Sequence, residues 1–384
     1  MLKSITLKDY TTFITETTFD FCATNYKILE KTNVGENRIL KGAFFAGENA
    51  SGKTQTLNAL KLLLDLLFEN SEQNFLARKS LYTKGANFTL KYVFDVEGNE
   101  VSYEIEFDGN TIEYEKLMVN AEEKLVRIKT SGNTNFSEKK VKDVNLEISL
   151  LKQEYYNTRF ENNIILNKWF DFLKNSIYVD CLRGRCKLYN PDRAADVILT
   201  KYAEKNDPTK LNEFINKLGY GSEVVFEKQA ANEDRSIIIN SNKPMISLKK
   251  KGTKVALPLQ IESTGNQAFI NLVLPFQYST KNDCMLIVDE FSSGLHNELE
   301  ESLIRYFFDN SKNSQIFFVS HSTNLMNTYL LRPDQIYSFR FDSKMGTIIK
   351  RFSDENPRES QNMEKMYLSG VFDGLPKYCK NIKD

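Results

Sequence analysis

Residues Gly47-Glu48-Asn49-Ala50-Ser51-Gly52-Lys53-Thr54 fit the pattern G-x-x-x-x-G-K-[ST]. No other stretch constrains the fold as strongly. A polyphosphate needs several backbone N–H groups turned toward it, and only a tightly curled loop supplies them. Gly47 and Gly52 permit the dihedrals and the close approach that such a curl demands, with Asn49, Ala50 and Ser51 forming the loop between them. The flanks agree. Ile39 to Phe45 reads as a buried strand, and Thr54 to Phe68 has the length and apolar spacing of a helix. The helix N-terminus adds partial positive charge, Lys53 is placed to reach the β- and γ-phosphates of a nucleotide, and the Thr54 hydroxyl to hold Mg²⁺.

A chain of 384 residues has room for one large or two ordinary domains. Lys+Arg and Asp+Glu balance at 51 each, so no global field favours nucleic acid or membrane, and any such surface must be a local patch. No apolar run approaches a membrane span and the first residues lack a signal-peptide core, so a cytoplasmic protein is expected. The five cysteines are scattered apart from Cys181 and Cys186, and no second pair or nearby histidine completes a zinc site. Reduced thiols are the reading; a redox or metal role for that pair is the alternative.

Strands are expected at Ser4 to Leu7 and Phe13 to Thr18. Short alternating runs from Phe88 to Ile128, broken by Glu97-Gly98-Asn99, Asp108-Gly109-Asn110 and Ala121-Glu122-Glu123, predict an antiparallel meander with one buried face. Thr130 to Asp143 reads as an exposed loop and Leu146 to Lys174 as helical. A short strand at Ile177-Tyr178-Val179 leads to helices over Asp192 to Glu204 and Thr209 to Leu218. Short strands return at Glu223 to Glu227, Arg235 to Asn240, Met245 to Leu248 and Val255 to Gln260.

The apolar strand Cys284 to Val288 ends in Asp289-Glu290. A packed sheet has no use for two adjacent acids there, whereas a metal–nucleotide site at the sheet's carboxyl edge does. Asp289 suits Mg²⁺, and Glu290 suits orienting and deprotonating a water. A second apolar strand, Gln315 to Val319, runs into Ser320-His321-Ser322, which puts His321 where a γ-phosphate would be sensed. Upstream, Ser263 is a good N-cap for an apolar helix over Ala268 to Phe276; with Gly265 and that N-terminus it also makes a candidate second anion site.

In that order, the phosphate loop, serine-glycine helix start, Asp-Glu strand, Ser292-Ser293-Gly294-Leu295-His296 and strand-histidine resemble the ABC-type ATPase heads, the superfamily of transporter cassettes, SMC proteins and RecF-like repair ATPases. Within it the chain looks most like the stand-alone bacterial AAA family ATPases of the RloA and abortive-infection type, neighbours of the PARIS and Septu phage-defence ATPases. The resemblance covers residues 1 to about 68 and 255 to the end, including Tyr367 to Pro376. The signature departs from the transporter form, reading Ser-Thr-Gly-Asn-Gln, and no glutamine is assigned to couple nucleotide to lobe.

The resemblance implies an α/β P-loop fold of ABC-ATPase type with an antiparallel β subdomain and an inserted, mainly helical lobe. The expected divisions are 1–68 and 255–384 for the two halves of the head, 69–130 for the meander and 131–254 for the lobe. It implies ATP and Mg²⁺, a homodimer with two nucleotides between heads, and Ser263 and Gly265 of one head meeting the γ-phosphate of the other. An effector, a nuclease or toxin, is expected to be a separate polypeptide. DNA is the alternative partner, through Arg183, Arg185, Lys187 and Arg193 around Tyr189, or through Lys249, Lys250, Lys251 and Lys254.

Overall fold

The computed structural model describes residues 1–70, 74–136, 140–160, 163–227 and 244–375. The chain opens with β1 (Leu2–Lys8) and β2 (Thr17–Asp20), a single helical turn α1 (Glu30–Asn33), and β3 (Gly42–Gly47), which enters the glycine loop and α2 (Lys53–Phe68). Strands β4 (Asn87–Val96), β5 (Asn99–Asp108), β6 (Thr111–Val119), β7 (Glu122–Ile128), β8 (Ser131–Thr134) and β9 (Lys140–Val141) follow, then α3 (Leu150–Thr158) and α4 (Ile164–Lys174). Next come β10 (Ile177–Asp180), β11 (Arg185–Leu188), α5 (Leu199–Lys205), α6 (Thr209–Lys217), β12 (Ser222–Glu227), β13 (Met245–Lys250) and β14 (Ala256–Pro258). The last part holds α7 (Thr264–Ser279), β15 (Met285–Asp289), α8 (Asn297–Asn310), β16 (Gln315–Val319), β17 (Ile336–Asp342), β18 (Gly346–Arg351) and α9 (Met363–Leu368).

Two large sheets enclose α2. One is antiparallel and eight-stranded, in the order β2-β1-β4-β5-β6-β7-β8-β9; the other has seven strands, in the order β11-β10-β15-β16-β3-β17-β18. In the second sheet β10, β15, β16, β3 and β17 run parallel, and both faces are covered, as their unbroken apolar runs require. Met285, Ile287, Phe317 and Val319 point to the core shared with α2 and the antiparallel sheet; Leu286, Val288, Ile316 and Phe318 point to the core beneath α7 and α8. The meander alternates as its sequence demands: Phe88, Leu90, Tyr92 and Phe94 are buried on β4, and Val101, Tyr103, Ile105 and Phe107 on β5. Tyr92 then donates its hydroxyl to the Ala59 carbonyl of α2 at 2.7 Å, fixing the sheet to the helix.

Several local expectations need correction. The second strand lies at Thr17–Asp20, because Tyr10 and Phe13 exchange backbone hydrogen bonds in a tight turn instead of extending. The span over 130–143 is not one exposed loop: β8 pairs with β7, and β9 pairs with β8. The helical stretch over 146–174 is two helices, broken where Arg159 and Phe160 take φ of 51° and 52° and Phe160 turns inward. Residues Pro191–Asp196 form a 3-10 turn ahead of α5, and the run over 255–260 is strand only at Ala256–Pro258. The expected strand Arg235 to Asn240, Lys139 and the closing Pro376 lie outside the described residues.

Candidate functional site

The central strand β3 delivers the chain to the carboxyl edge of the parallel sheet, where Gly47 (φ 143°), Ala50 (φ 60°) and Gly52 (φ 106°) curl it into α2. A Cβ on Gly47 would stand 2.3 Å from the Phe339 carbonyl oxygen, and one on Gly52 would stand 2.5 Å from Thr347 Oγ1. Both positions therefore require glycine for space as well as for φ. Asn49 and Ala50 are exposed at the mouth, while Ser51, Gly52 and Lys53 are buried. Lys53 Nζ donates to the Gly47 and Glu48 carbonyls at 2.9 and 2.7 Å; burial lowers its pKa, opposed by Glu290, Asp289 and Glu48.

The Asp-Glu strand lies two places away, beyond β16. Thr54 Oγ1 donates to Asp289 Oδ1 at 3.0 Å, joining the helix start to the end of β15. Burial pushes the Asp289 carboxyl up to about 6, with Glu290 and Asp180 pushing the same way and the Thr54 hydroxyl pulling against them. This donor set fits Mg²⁺, which takes one hydroxyl and one carboxylate from a protein, keeps several waters and draws its remaining ligands from phosphates. Among the described residues no cluster of three or more His, Cys, Asp or Glu forms an all-protein cage.

Glu290 leaves the strand with φ 54°, and its Oε2 lies 3.6 Å from His321 Nε2. Two further contacts stitch the ends of β15 and β16 together: Phe291 N–H donates to the Val319 carbonyl at 2.8 Å, and His321 N–H to Ser292 Oγ at 3.1 Å. Gly47 through Thr54, Asp289, Glu290 and His321 thus meet at one sheet edge.

Ser263 and Gly265 stand apart from this cluster. Ser263 Oγ caps α7, accepting from Asn266 N–H at 3.3 Å, and no hydrogen bond joins either residue to the glycine loop among the described residues. The helix begins at Thr264 rather than Ala268, because that cap extends it by a turn. A Cβ on Gly265 would lie 2.1 Å from the Gly294 carbonyl oxygen, so the start of α7 packs directly on the turn that follows Glu290.

Sequence reasoning passed over four supports. Thr347 Oγ1 hydrogen-bonds Thr12 Oγ1 at 2.7 Å and the Ser51 carbonyl at 2.9 Å, and Glu48 Oε1 accepts from Phe341 N–H at 3.0 Å; these brace the loop from the β17–β18 hairpin. No motif marks Thr12, Thr347 or Phe341, since they lie far from the loop in the chain, and Glu48 occupies a variable position of the motif. Asp180 is the fourth: it ends β10 in register with Asp289 and is only 4% exposed. Its signal was present, an apolar strand ending in an acid.

Of the two basic clusters, the first has acidic neighbours at three of its four cations. Arg183 pairs with Asp180, Lys187 with Asp65 and Glu69, and Arg193 with Asp196, while Tyr189 is buried and donates to Asp65. Lys250, Lys251 and Lys254 are exposed and Lys249 half-buried, on and just after β13. Cys22, Cys181, Cys186 and Cys284 are unpaired thiols, and burial raises the pKa of Cys186 to about 12. No described helix is long and apolar enough to cross a membrane.

No curated protein sequence matches this chain. Among solved structures, an SMC head bound to the C-terminal winged-helix domain of ScpA is 14% identical, covers 92% of this chain and 99% of its own, and superposes with a TM-score of 0.54. The SMC head domain from Thermotoga maritima is 18% identical, covering 91% of this chain and 97% of its own, with a TM-score of 0.47. An SMC head bound to the C-terminal domain of ScpA derived from Pyrococcus furiosus is 10% identical, covering 92% of this chain and 97% of its own, with a TM-score of 0.49. The first of these supports an SMC-head fold. The family described as "AAA domain, putative AbiEii toxin, Type IV TA system" matches residues 43–327. With well over half of its length matched, and the phosphate loop and the acidic strand both inside the match, this chain belongs to that AAA-domain family.

Proposed function

We propose that the chain binds ATP with Mg²⁺ and hydrolyses it as a nucleotide-driven switch. The observation that carries this reading is the 3.0 Å hydrogen bond from Thr54 to Asp289, with the Glu290–His321 pair immediately beyond it. Gly47, Asn49, Ala50, Ser51 and Gly52 would turn backbone N–H groups to the phosphates. Lys53 would exchange its carbonyl partners for phosphate oxygens. Mg²⁺, held by Thr54 and Asp289, would neutralise charge on the transferred phosphoryl group. Glu290 would accept the proton of the attacking water, and His321 would hold Glu290 and the γ-phosphate in place.

One chain carries one phosphate loop and one Ser263–Gly265 helix start, and the latter is exposed and unattached to the former. Pairing of two copies, with each Ser263 and Gly265 closing on the partner's nucleotide, supplies what a single copy lacks. The head is assigned to residues 1–68 and 255–384 together with the β10–β11 hairpin, which pairs with β15; the meander is assigned to 69–130 extended by β8 and β9, and the lobe to the remainder of 131–254, a correction to the expected divisions. The family description, naming a toxin system, supports placing the chain beside the RloA, abortive-infection, PARIS and Septu ATPases as a cytoplasmic sensor with a separate nuclease or toxin as effector. An SMC head that carries a bound protein domain supports a protein partner here as well.

The test is phosphate release from ATP by the purified chain, with Lys53→Ala beside it. Mg²⁺-dependent turnover lost in the variant is expected; turnover that survives in Lys53→Ala would remove the glycine loop from the reaction. A second reading, a DNA-engaging repair ATPase, is favoured by the solvent-facing lysines Lys250, Lys251 and Lys254. It requires turnover stimulated by duplex DNA, with a stimulation that fades steeply as salt rises.

A further inference from the structure

The turn between β10 and β11 lies at the sheet's carboxyl edge, and the proposed mechanism gives it no part. β10 lies parallel to β15, with Asp180 directly opposite Asp289, so the chain leaves β10 where the acidic strand ends. Cys181 N–H donates to the Asp289 carbonyl at 3.0 Å and clips the turn to that strand. Asp180 then folds Arg183 back: its Oδ1 accepts from Arg183 N–H at 3.0 Å and its Oδ2 from Arg183 Nη1 at 2.9 Å. An interior carboxylate is thereby paired with a side chain that is itself 63% exposed.

The pairing leaves most of the guanidinium uncommitted. Of its five N–H donors, only the one on Nη1 has a protein partner among the described residues. The edge is strongly acidic, with Asp180, Asp289 and Glu290 together, and Arg183 feels Asp289 as well as Asp180. A terminal phosphate arriving beside Asp289 would add further negative charge to this edge. Lys53 comes at it from the loop side; Arg183 is tethered on the opposite flank, with a planar fork suited to phosphate oxygens.

We propose that Arg183, positioned by Asp180 on the β10–β11 turn, is a second cation for the terminal phosphate of a nucleoside triphosphate, and so distinguishes triphosphate from diphosphate. This rests on the nucleotide-binding reading above. Asp180 is the positioning residue. It holds Arg183 at the end of β10 before a nucleotide arrives, and the guanidinium in turn offsets the loss of water around the Asp180 carboxylate.

The experiment is equilibrium titration of the full chain with fluorescent derivatives of ADP and of a non-hydrolysable ATP analogue, with Mg²⁺ present. Arg183→Ala is expected to weaken the triphosphate analogue by about tenfold while ADP changes less than about twofold, the size of one charge-assisted contact. Arg183→Lys should recover part of the loss, and Asp180→Asn should reduce the same ratio by freeing the arginine. Arg185→Ala, the neighbouring exposed arginine, should leave the ratio unchanged. Equal loss for both nucleotides, no loss for either, or the same effect from Arg185→Ala would each overturn the assignment. Lys53→Ala separates the two levels. If it leaves both affinities intact, the nucleotide-binding reading itself fails; if it weakens both while Arg183→Ala changes neither, only the Arg183 assignment fails.

Discussion

Glu290 and Asp289 are adjacent acids with different surroundings, and they should fail differently. Glu290 is partly exposed and faces His321, whereas Asp289 is buried against Thr54. Glu290→Gln keeps the shape and removes the proposed base; single-turnover measurements should show nucleotide binding within about twofold of the parent and a chemical step slowed at least ~100-fold. Asp289 carries a pH dependence of its own. Its native pKa is about 6 against an ordinary 3.8, so at pH 5 the folded protein holds a proton that the unfolded chain has largely released. That contribution to stability is complete below about pH 4 and is lost as pH rises past 6. Denaturant unfolding in EDTA should therefore find Asp289→Asn more stable than the parent at pH 7.5, by roughly 2 kcal/mol, and equal to it at pH 4. In the parent, Mg²⁺-dependent nucleotide affinity should weaken as pH falls through 6.

At the scale of elements, the sheet subdomain owes its shape to a buried polar knot. Glu115 and Arg127 point inward among apolar neighbours, both fully buried. Glu115 accepts from Tyr103, Ser149, the Leu150 N–H and Arg127, and Arg127 also donates to the carbonyls of Lys129, Asn145 and Ile148. The knot fastens the start of α3 to β6 and β7. Glu115→Ala strands a buried guanidinium and should cost about 3–5 kcal/mol, read from denaturant unfolding of the parent and variant. Strand alternation made the meander legible, yet a strict apolar-in pattern fails to anticipate Glu115 and Arg127, because their partners lie on another element. The same distinction runs through the site. Gly47 to Thr54, Asp289, Glu290 and His321 were readable because each belongs to a contiguous motif on a strand or helix end. Thr12, Thr347 and the Phe341 backbone were not, because only the fold brings residues so far apart to the loop. The β8–β9 extension escaped notice because its strands are short and polar.

For the whole molecule, the decisive expectation is assembly. Light scattering of Glu290→Gln should show a monomer without nucleotide and a dimer with ATP and Mg²⁺, and Ser263→Arg should abolish the shift by crowding the mating face. A Glu290→Gln protein that stays monomeric at high concentration with saturating ATP would argue against sandwiched heads.

The strand order carries a consequence for synthesis. β3 at Gly42–Gly47 takes its two neighbours from β16 and β17, about 270 residues or more later in the chain, and Leu2 N–H donates to the side chain of Gln315 at 2.5 Å. The ribosome must therefore release the glycine loop and α2 long before their sheet can exist. Until β16 is made both edges of the buried strand β3 are open, and one edge stays open until β17 follows. Such a topology folds late and around distant partners, which makes the nascent chain a natural client for chaperones. A premature stop between β16 and β17 would leave an intact phosphate-loop motif with no brace from Phe341 or Thr347, and hence a sequence that still reads as nucleotide-binding in a chain unable to hold the loop's shape.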